Sequence, residues 1–96
     1  MPAKVKITYC AECGYEPQTL ALAEALMKRF GLELAAIEII PWYEGSFEVS
    51  VDGQLVHSMY RDGGFPEQQR VIEAVEARLR EGRTSPLAPP PGGEGN

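Results

Sequence analysis

The sequence is poor in the residues that build metal centres and membrane spans. It has two cysteines and one histidine in 96 residues, fewer than the four ligands of a structural zinc site. No apolar run approaches the ~18 residues of a membrane span, and the opening MPAKVKITY contains no apolar signal segment. We therefore expect no metal cofactor, no membrane contact and a cytoplasmic location.

Positive charge is also scarce. Nine lysines and arginines stand against 14 acidic residues, which gives a formal net charge of -5. A nucleic-acid-binding protein needs a basic face, so we expect no nucleic-acid partner. The hydrophobic fraction of 44% and the charged fraction of 24% are typical of a folded domain with both helices and strands.

The first half of the chain contains a strand pattern followed by a helix pattern. In KVKITY the apolar Val5 and Ile7 alternate with Lys4 and Lys6, which is the period of a strand buried on one face. The apolar residues that follow recur at helical spacing and predict a helix over residues 17–30. The face of this helix expected in the core carries Leu20, Ala23, Leu26, Met27 and Phe30.

The middle of the chain predicts three further strands. The apolar segment LELAAIEII, residues 32–40, favours a strand that Pro41 ends. The alternating runs SFEVSV and QLVHSM flank Asp52 and Gly53, the dipeptide preferred in two-residue type I′ turns. We therefore expect a β-hairpin that turns at these two residues.

The register of the hairpin follows from its turn. A two-residue turn places Val49 opposite Val56 and Glu48 opposite His57. His57 is then expected on the face away from the helices, where an ion pair with Glu48 explains it without a catalytic role.

The end of the chain predicts one more helix and a tail. Helical spacing continues from Pro66 to Gly82, and residues 83–96, RTSPLAPPPGGEGN, are too rich in proline and glycine to form a core. The order strand, helix, strand, strand, strand, helix predicts one α/β (α+β) domain over residues 1–82. Its four-stranded mixed sheet carries both helices on one face, which is the layout of thioredoxin-like proteins.

The other face of this sheet is expected to be open. Leu55 and Met59 should lie there, either as isolated surface residues or as part of a patch for a second copy of the chain or another protein. The patch is the preferred interpretation, so a homodimer through the open face is expected.

The cysteines Cys10 and Cys13 occupy the connection between the first strand and the first helix. A C-x-x-C motif in that position indicates a redox pair, and the edge of the sheet that it occupies is where sites of α/β proteins tend to lie. The loops PWYEGS and RDGGFP should flank it. The residues expected to bind a partner, or else to cap the small core, are Tyr15, Trp42, Tyr43, Gly63, Gly64 and Phe65.

Three segments together resemble the selenoprotein W family, also called the Rdx family, in its cysteine-containing form. They are YCAECGYEPQTLALAEAL, GSFEVSVDGQLVHS and DGGFP. The resemblance implies a thioredoxin-like fold and a thiol-disulfide redox protein in cell redox homeostasis, with glutathione or thioredoxin as a co-substrate. Cys10 matches the family's first cysteine, and Cys13 matches the position that holds selenocysteine in the selenium-containing members.

The roles of the two thiols remain open at this point. One thiolate attacks a disulfide and the other resolves the mixed disulfide. The first cysteine attacks in ordinary thioredoxins, whereas the selenium position points to the second. Glu12 and Glu16 should raise a nearby thiol pKa by like-charge repulsion, so we expect a modest nucleophile.

Two other functions compete with the oxidoreductase. The chain could be an interaction module in which oxidation of Cys10 and Cys13 changes partner binding without turnover. Alternatively, two copies of the motif could share one zinc ion across a dimer.

Overall fold

The sheet is built around the first strand. The computed structural model describes residues 2–83, and the remainder of the predicted tail lies outside them. The elements are β1 (Ala3–Cys10), α1 (Glu16–Phe30), β2 (Leu34–Trp42), β3 (Phe47–Val51), β4 (Gln54–Ser58), α2 (Met59–Asp62) and α3 (Gln68–Arg83). The strand order is β2-β1-β3-β4, with β1 parallel to β2 and the other neighbours antiparallel. The predicted four-stranded mixed sheet and α+β fold are therefore confirmed.

The core lies between one face of this sheet and the helices α1 and α3. In β1, Val5 and Ile7 are fully buried while Lys4 and Lys6 are exposed, as the alternation predicts. Residues of the sheet and of both helices form one cluster, so the two long helices cover the same face. Its largest buried members include Phe47, Ile7, Leu26, Val5, Val49, Val71 and Val75.

The buried face of α1 contains Ala23, Leu26 and Phe30, as predicted, but differs from the predicted face at two positions. Leu20 and Met27 are 62% and 56% exposed, whereas Thr19 and Leu22 are buried. Leu20 and Met27 lie seven residues apart and therefore share a face, but that face is rotated away from the sheet. The helix begins at Glu16 with proline in its first turn, one residue before the predicted start.

Pro41 does not end β2. It pairs with Tyr9 inside the strand, which continues to Trp42. Strand β2 is at the edge of the sheet, so the missing N–H of proline costs no ladder hydrogen bond on its outer side.

The hairpin turns where it was predicted, but its register changes within the strands. Asp52 and Gly53 both have positive φ, 50° and 84°, as a type I′ turn requires. A register shift between Val49 and Ser50 then places Val49 opposite His57. His57 therefore lies on the helix-covered side and is only 9% exposed.

The predicted ion pair between His57 and Glu48 is consequently wrong. Glu48 lies opposite Ser58 instead. The Nε2 of His57 donates to Gly64 O at 2.8 Å, and its Nδ1 lies 3.5 Å from Asp62 Oδ2. His57 thus contacts the loop that follows β4 through Asp62 and Gly64. These contacts are structural, but their partners are not the predicted one.

The short helix α2 was not predicted. Ser58 caps it by accepting from Arg61 N, and Asp62 closes it by accepting from Ser58 N at 3.0 Å. The Arg61 guanidinium, and then the Ser58 amide, lower the pKa of Asp62 to about 2. Met59 was predicted on the open face of the sheet, but it begins α2 and packs against the core. Leu55, the other residue predicted there, lies on β4 and is 44% exposed.

None of the helices described in residues 2–83 is long and apolar enough to cross a membrane.

Candidate redox site

The two cysteines are joined but differ in exposure. They form a disulfide bond, and their Cα atoms are 5.3 Å apart. Cys10 is the last residue of β1 and is 0% exposed, whereas Cys13 lies in the following turn and is exposed to solvent. A reagent from solution therefore reaches the bridge from the Cys13 side.

The cysteine motif is hydrogen-bonded through its backbone to the end of β2 and to the segment that follows it. Cys10 N donates to Ser46 O at 2.8 Å, and Ala11 N donates to Trp42 O at 3.0 Å. The loop PWYEGS thus flanks the motif, as the strand order predicts. Within the motif, Gly14 has φ 77° and donates its N–H to Ala11 O, which closes the turn before α1.

A chain of hydrogen bonds joins the motif to α2 through side chains. Glu44 N donates to the Glu12 carboxylate at 3.1 Å, and the Tyr60 hydroxyl donates to Glu44 O at 2.7 Å. Desolvation raises the pKa of Tyr60, and the carboxylates of Glu44 and Glu48 raise it further. Glu12 and Glu44 thus place two acidic residues at this end of the sheet.

The predicted aromatic residues fall into two groups. Phe65 contacts Tyr15 and Phe47 edge to face, with ring centroids 4.9 Å and 5.1 Å apart. Tyr15 and Phe65 thus extend the aromatic packing of Phe47 at the edge of the core. Trp42 and Tyr43 contact each other and remain 55% and 59% exposed. Phe65 packs against core aromatic rings but is itself 40% exposed, so part of its ring is open to solvent, as are those of Trp42 and Tyr43.

The backbone amides of Gly63 and Gly64 are already occupied. Gly63 N donates to Met59 O at 3.0 Å, and Gly64 N donates to the Met59 sulfur at 3.1 Å. Both glycines have positive φ and form the turn after α2. Gly63 and Gly64 therefore affect the site by setting the direction of the loop that carries Phe65.

The larger groove beside the site does not contain the cysteines. It has a volume of about 590 Å³ and lies between β4, α2 and the start of α3, with His57, Arg61, Phe65 and Arg70 among its walls. A smaller apolar cavity of about 140 Å³ lies on the other side of Phe65 and is lined in part by Leu22. Phe65 therefore separates two cavities.

Sequence reasoning did not find Ser46 or the exposure difference between the cysteines. Ser46 is 2% exposed, and nothing in its local sequence signals that burial. Within residues 2–83, no group of three or more histidine, cysteine or acidic side chains is arranged to hold a metal ion.

Comparison with known proteins agrees with these features. The family model described as the Rdx family matches residues 4–77, which is more than half of the chain. Chicken selenoprotein W is 36% identical over 88 residues, covering 82% of this chain and 99% of its own. The crystal structure of a selenoprotein W-related protein from Vibrio cholerae superposes with a TM-score of 0.79 at 25% identity, over 82% of this chain and 99% of that one.

A second kind of relative is longer. Bovine migration and invasion enhancer 1 is 38% identical over 73 residues, which is 75% of this chain but 61% of that protein. The match with this chain thus spans about three fifths of that relative's length.

Proposed function

This chain belongs to the Rdx family, and we propose that it is a small cytoplasmic thiol-disulfide oxidoreductase. The family and the disulfide-bonded cysteine pair together support a redox role. In the proposed reaction Cys10 and Cys13 cycle between dithiol and disulfide, with glutathione or a thioredoxin-type protein as the electron partner.

The observation that carries the proposal is the unequal exposure of the bridged cysteines. Cys13 is open to solvent and Cys10 is fully buried. Attack on a disulfide requires a free line of approach to one sulfur atom. Cys13 is therefore the thiol that exchanges with substrates, and Cys10 is the resolving thiol.

The cycle balances in two steps. During reduction an incoming thiolate attacks Cys13 Sγ, the Cys10–Cys13 bond breaks, and its electron pair leaves on Cys10 Sγ. A second thiolate attacks the incoming sulfur, which releases Cys13 and a disulfide of the two reductant molecules. Oxidation of the dithiol by a substrate disulfide reverses these steps.

The charges around Cys13 bear on the choice of reductant. Glu12 lies inside the motif and Glu44 is hydrogen-bonded to it. Glutathione carries a net negative charge at neutral pH, so this environment slows its approach without preventing it. A protein partner can offset that repulsion by contacting Trp42 and Tyr43.

Thiol trapping across glutathione redox buffers tests the proposal. The wild-type chain should show one reversible two-electron transition by mass spectrometry. The Cys10→Ser variant should accumulate a mixed disulfide on Cys13, because the resolving thiol is absent. The Cys13→Ser variant should form little adduct, because Cys10 is inaccessible. Cysteines that stay reduced in every buffer, or adducts that form on Cys10, would contradict the assignment.

One observation favours a second function, a redox-sensitive interaction module without turnover. The motif is hydrogen-bonded through Glu12 and Ala11 to the segment that carries the exposed Trp42 and Tyr43. Opening the bridge could therefore move these rings. Steady-state assays separate the two functions: a module forms the bridge once but shows negligible turnover with glutathione or thioredoxin reductants.

A further inference from the structure

The Ser46 hydroxyl is buried without a hydrogen-bond partner. Among the buried side-chain nitrogen and oxygen atoms of residues 2–83, Ser46 Oγ alone lacks one. Folded proteins pair nearly all such groups, because an unpaired buried hydroxyl destabilises the state that contains it. The structure contains the Cys10–Cys13 disulfide. The partner of Ser46 Oγ is therefore expected in the reduced protein, in which the two cysteines are separate thiols.

The strand register places this hydroxyl beside the buried cysteine. The antiparallel pairing of β1 with β3 runs from Val5 opposite Val51 to Tyr9 opposite Phe47. Its next step sets Cys10 opposite Ser46, and Cys10 N donates to Ser46 O at 2.8 Å. Directly opposite residues of an antiparallel pair have Cβ atoms about 5 Å apart on the same face. Both side chains are buried, Cys10 completely.

Tyr60 is the other polar side chain that approaches this hydroxyl. Desolvation first, and then Glu44 and Glu48, raise the pKa of Tyr60, while an interaction of hydrogen-bond type with the Ser46 hydroxyl lowers it. The Tyr60 proton is donated to Glu44 O, and the Tyr60 and Ser46 hydroxyls do not meet in hydrogen-bond geometry. The Tyr60 oxygen keeps lone pairs that can accept from Ser46, so Tyr60 and the Cys10 sulfur are the two acceptors that compete for the Ser46 proton.

We propose that Ser46 is the hydrogen-bond donor for the Cys10 sulfur in the reduced protein. When a reductant thiolate attacks Cys13 Sγ, the electron pair of the broken bond goes to Cys10 Sγ. The Ser46 O–H, which keeps its proton, donates to the resulting thiolate. The inference rests on the proposed function, and it adds a residue that stabilises the leaving group of the reduction step.

Two consequences follow from this contact. A hydrogen bond present only in the reduced state shifts the equilibrium toward the dithiol and makes the pair more oxidising. The same bond lowers the pKa of the Cys10 thiol, because it favours the charged form. A thiol with a lower pKa is also a better leaving group, so reduction of the bridge is faster.

The equilibrium test compares Ser46→Ala with Ser46→Thr. In glutathione redox buffers, Ser46→Ala should shift the equilibrium about tenfold toward the disulfide, which corresponds to a potential about 30 mV lower. Ser46→Thr retains the hydroxyl and should stay near the wild-type value. Ser50→Ala, in β3 and opposite Lys6, is the control and should leave the potential unchanged.

A pKa measurement separates a contact with sulfur from a general effect on folding. In a Cys13→Ser background, Cys10 is the sole thiol, and its titration followed by thiolate absorbance should move to higher pH when Ser46 becomes alanine. Equal potentials and equal Cys10 pKa values with and without the hydroxyl would overturn the inference, as would an equal shift in Ser50→Ala. A wild-type chain that forms no reversible disulfide would contradict the proposed function itself. If only the Ser46 inference fails, the wild-type chain still forms that disulfide reversibly, so the two failures are distinguishable.

Discussion

The two ends of the sheet use charge in opposite ways. At the turn end, defined by Lys4, Asp52 and Arg78, the Asp52 carboxylate accepts from Lys4 N at 2.9 Å and from Arg78 Nε at 2.8 Å. At the cysteine end, defined by residues 10–15 and 42–46, Glu12 and Glu44 form no ion pair with another described residue. The charges of the turn end are paired and hold elements of the fold together, whereas the acidic residues of the cysteine end lie beside the motif without an ion-pair partner among the described residues.

The sharpest test of this comparison is to remove the exposed sulfur. Cys13→Ala should lower the rate of disulfide exchange by at least about 100-fold, because only Cys10, which is inaccessible, remains. The free energy of unfolding of the reduced chain should change by less than about 0.5 kcal/mol, as expected for an exposed residue. Exchange kinetics and urea unfolding under reducing conditions measure both. A large loss of stability would mean that the cysteine end also holds the fold together.

The reciprocal change is at the turn end. Asp52→Ala should destabilise the chain by about 2 kcal/mol, since it removes two hydrogen bonds and puts alanine at a positive φ. Asp52→Asn is the matched control, because asparagine tolerates that φ and keeps an acceptor; it should lose about half as much. Disulfide exchange should stay within twofold of the wild type. A parallel loss of exchange would break the separation between the two ends.

The sequence predicted the fold more completely than the site. Alternation in β1, helical spacing and the Asp52-Gly53 turn determine which elements form and in what order, because each signal is local. Pro41 was misjudged because its effect depends on whether the strand lies at an edge, and strand order is not a local property. The face of His57 was misjudged because a register shift at Val49 reverses every side chain beyond it.

At the site, the sequence predicted which cysteines pair and which loops flank them. It did not predict that Cys10 is buried and Cys13 exposed: Cys10 is the last residue of β1, whereas Cys13 lies in the turn that follows. The burial of Ser46 was not predicted either. Local patterns place residues at an edge of the sheet, and only the packing of the loops decides which of them a reagent can reach.

The ion pair of the turn end should also appear in the pH dependence of stability. The Arg78 hydrogen bond first, and the Lys4 amide second, lower the pKa of Asp52. Its stabilisation is thus fully present above the ordinary carboxyl pKa of about 3.9 and is lost as the pH falls through the lowered value of the folded state. The stability difference between wild type and Asp52→Asn should shrink below about pH 4. Urea midpoints from neutral to acid pH measure it, and a constant difference would contradict the assignment.

The smallest expected effect comes from neutralising the cysteine end. Glu12→Gln removes a negative charge within the motif but keeps an oxygen that can accept from Glu44 N, so the loop should hold its position. The rate of exchange with glutathione should rise about two- to threefold at low ionic strength, and the gain should fade at high salt, because exposed charges are screened.

Glu24→Gln is the control for this charge change. Glu24 lies on α1, largely exposed and paired with Lys28, so the variant alters the net charge by the same amount away from the motif. If both variants accelerate exchange equally, the net charge of the chain governs the rate. If only Glu12→Gln does so, the acidic surroundings of Cys13 act locally, and the difference between the two ends is functional as well as structural.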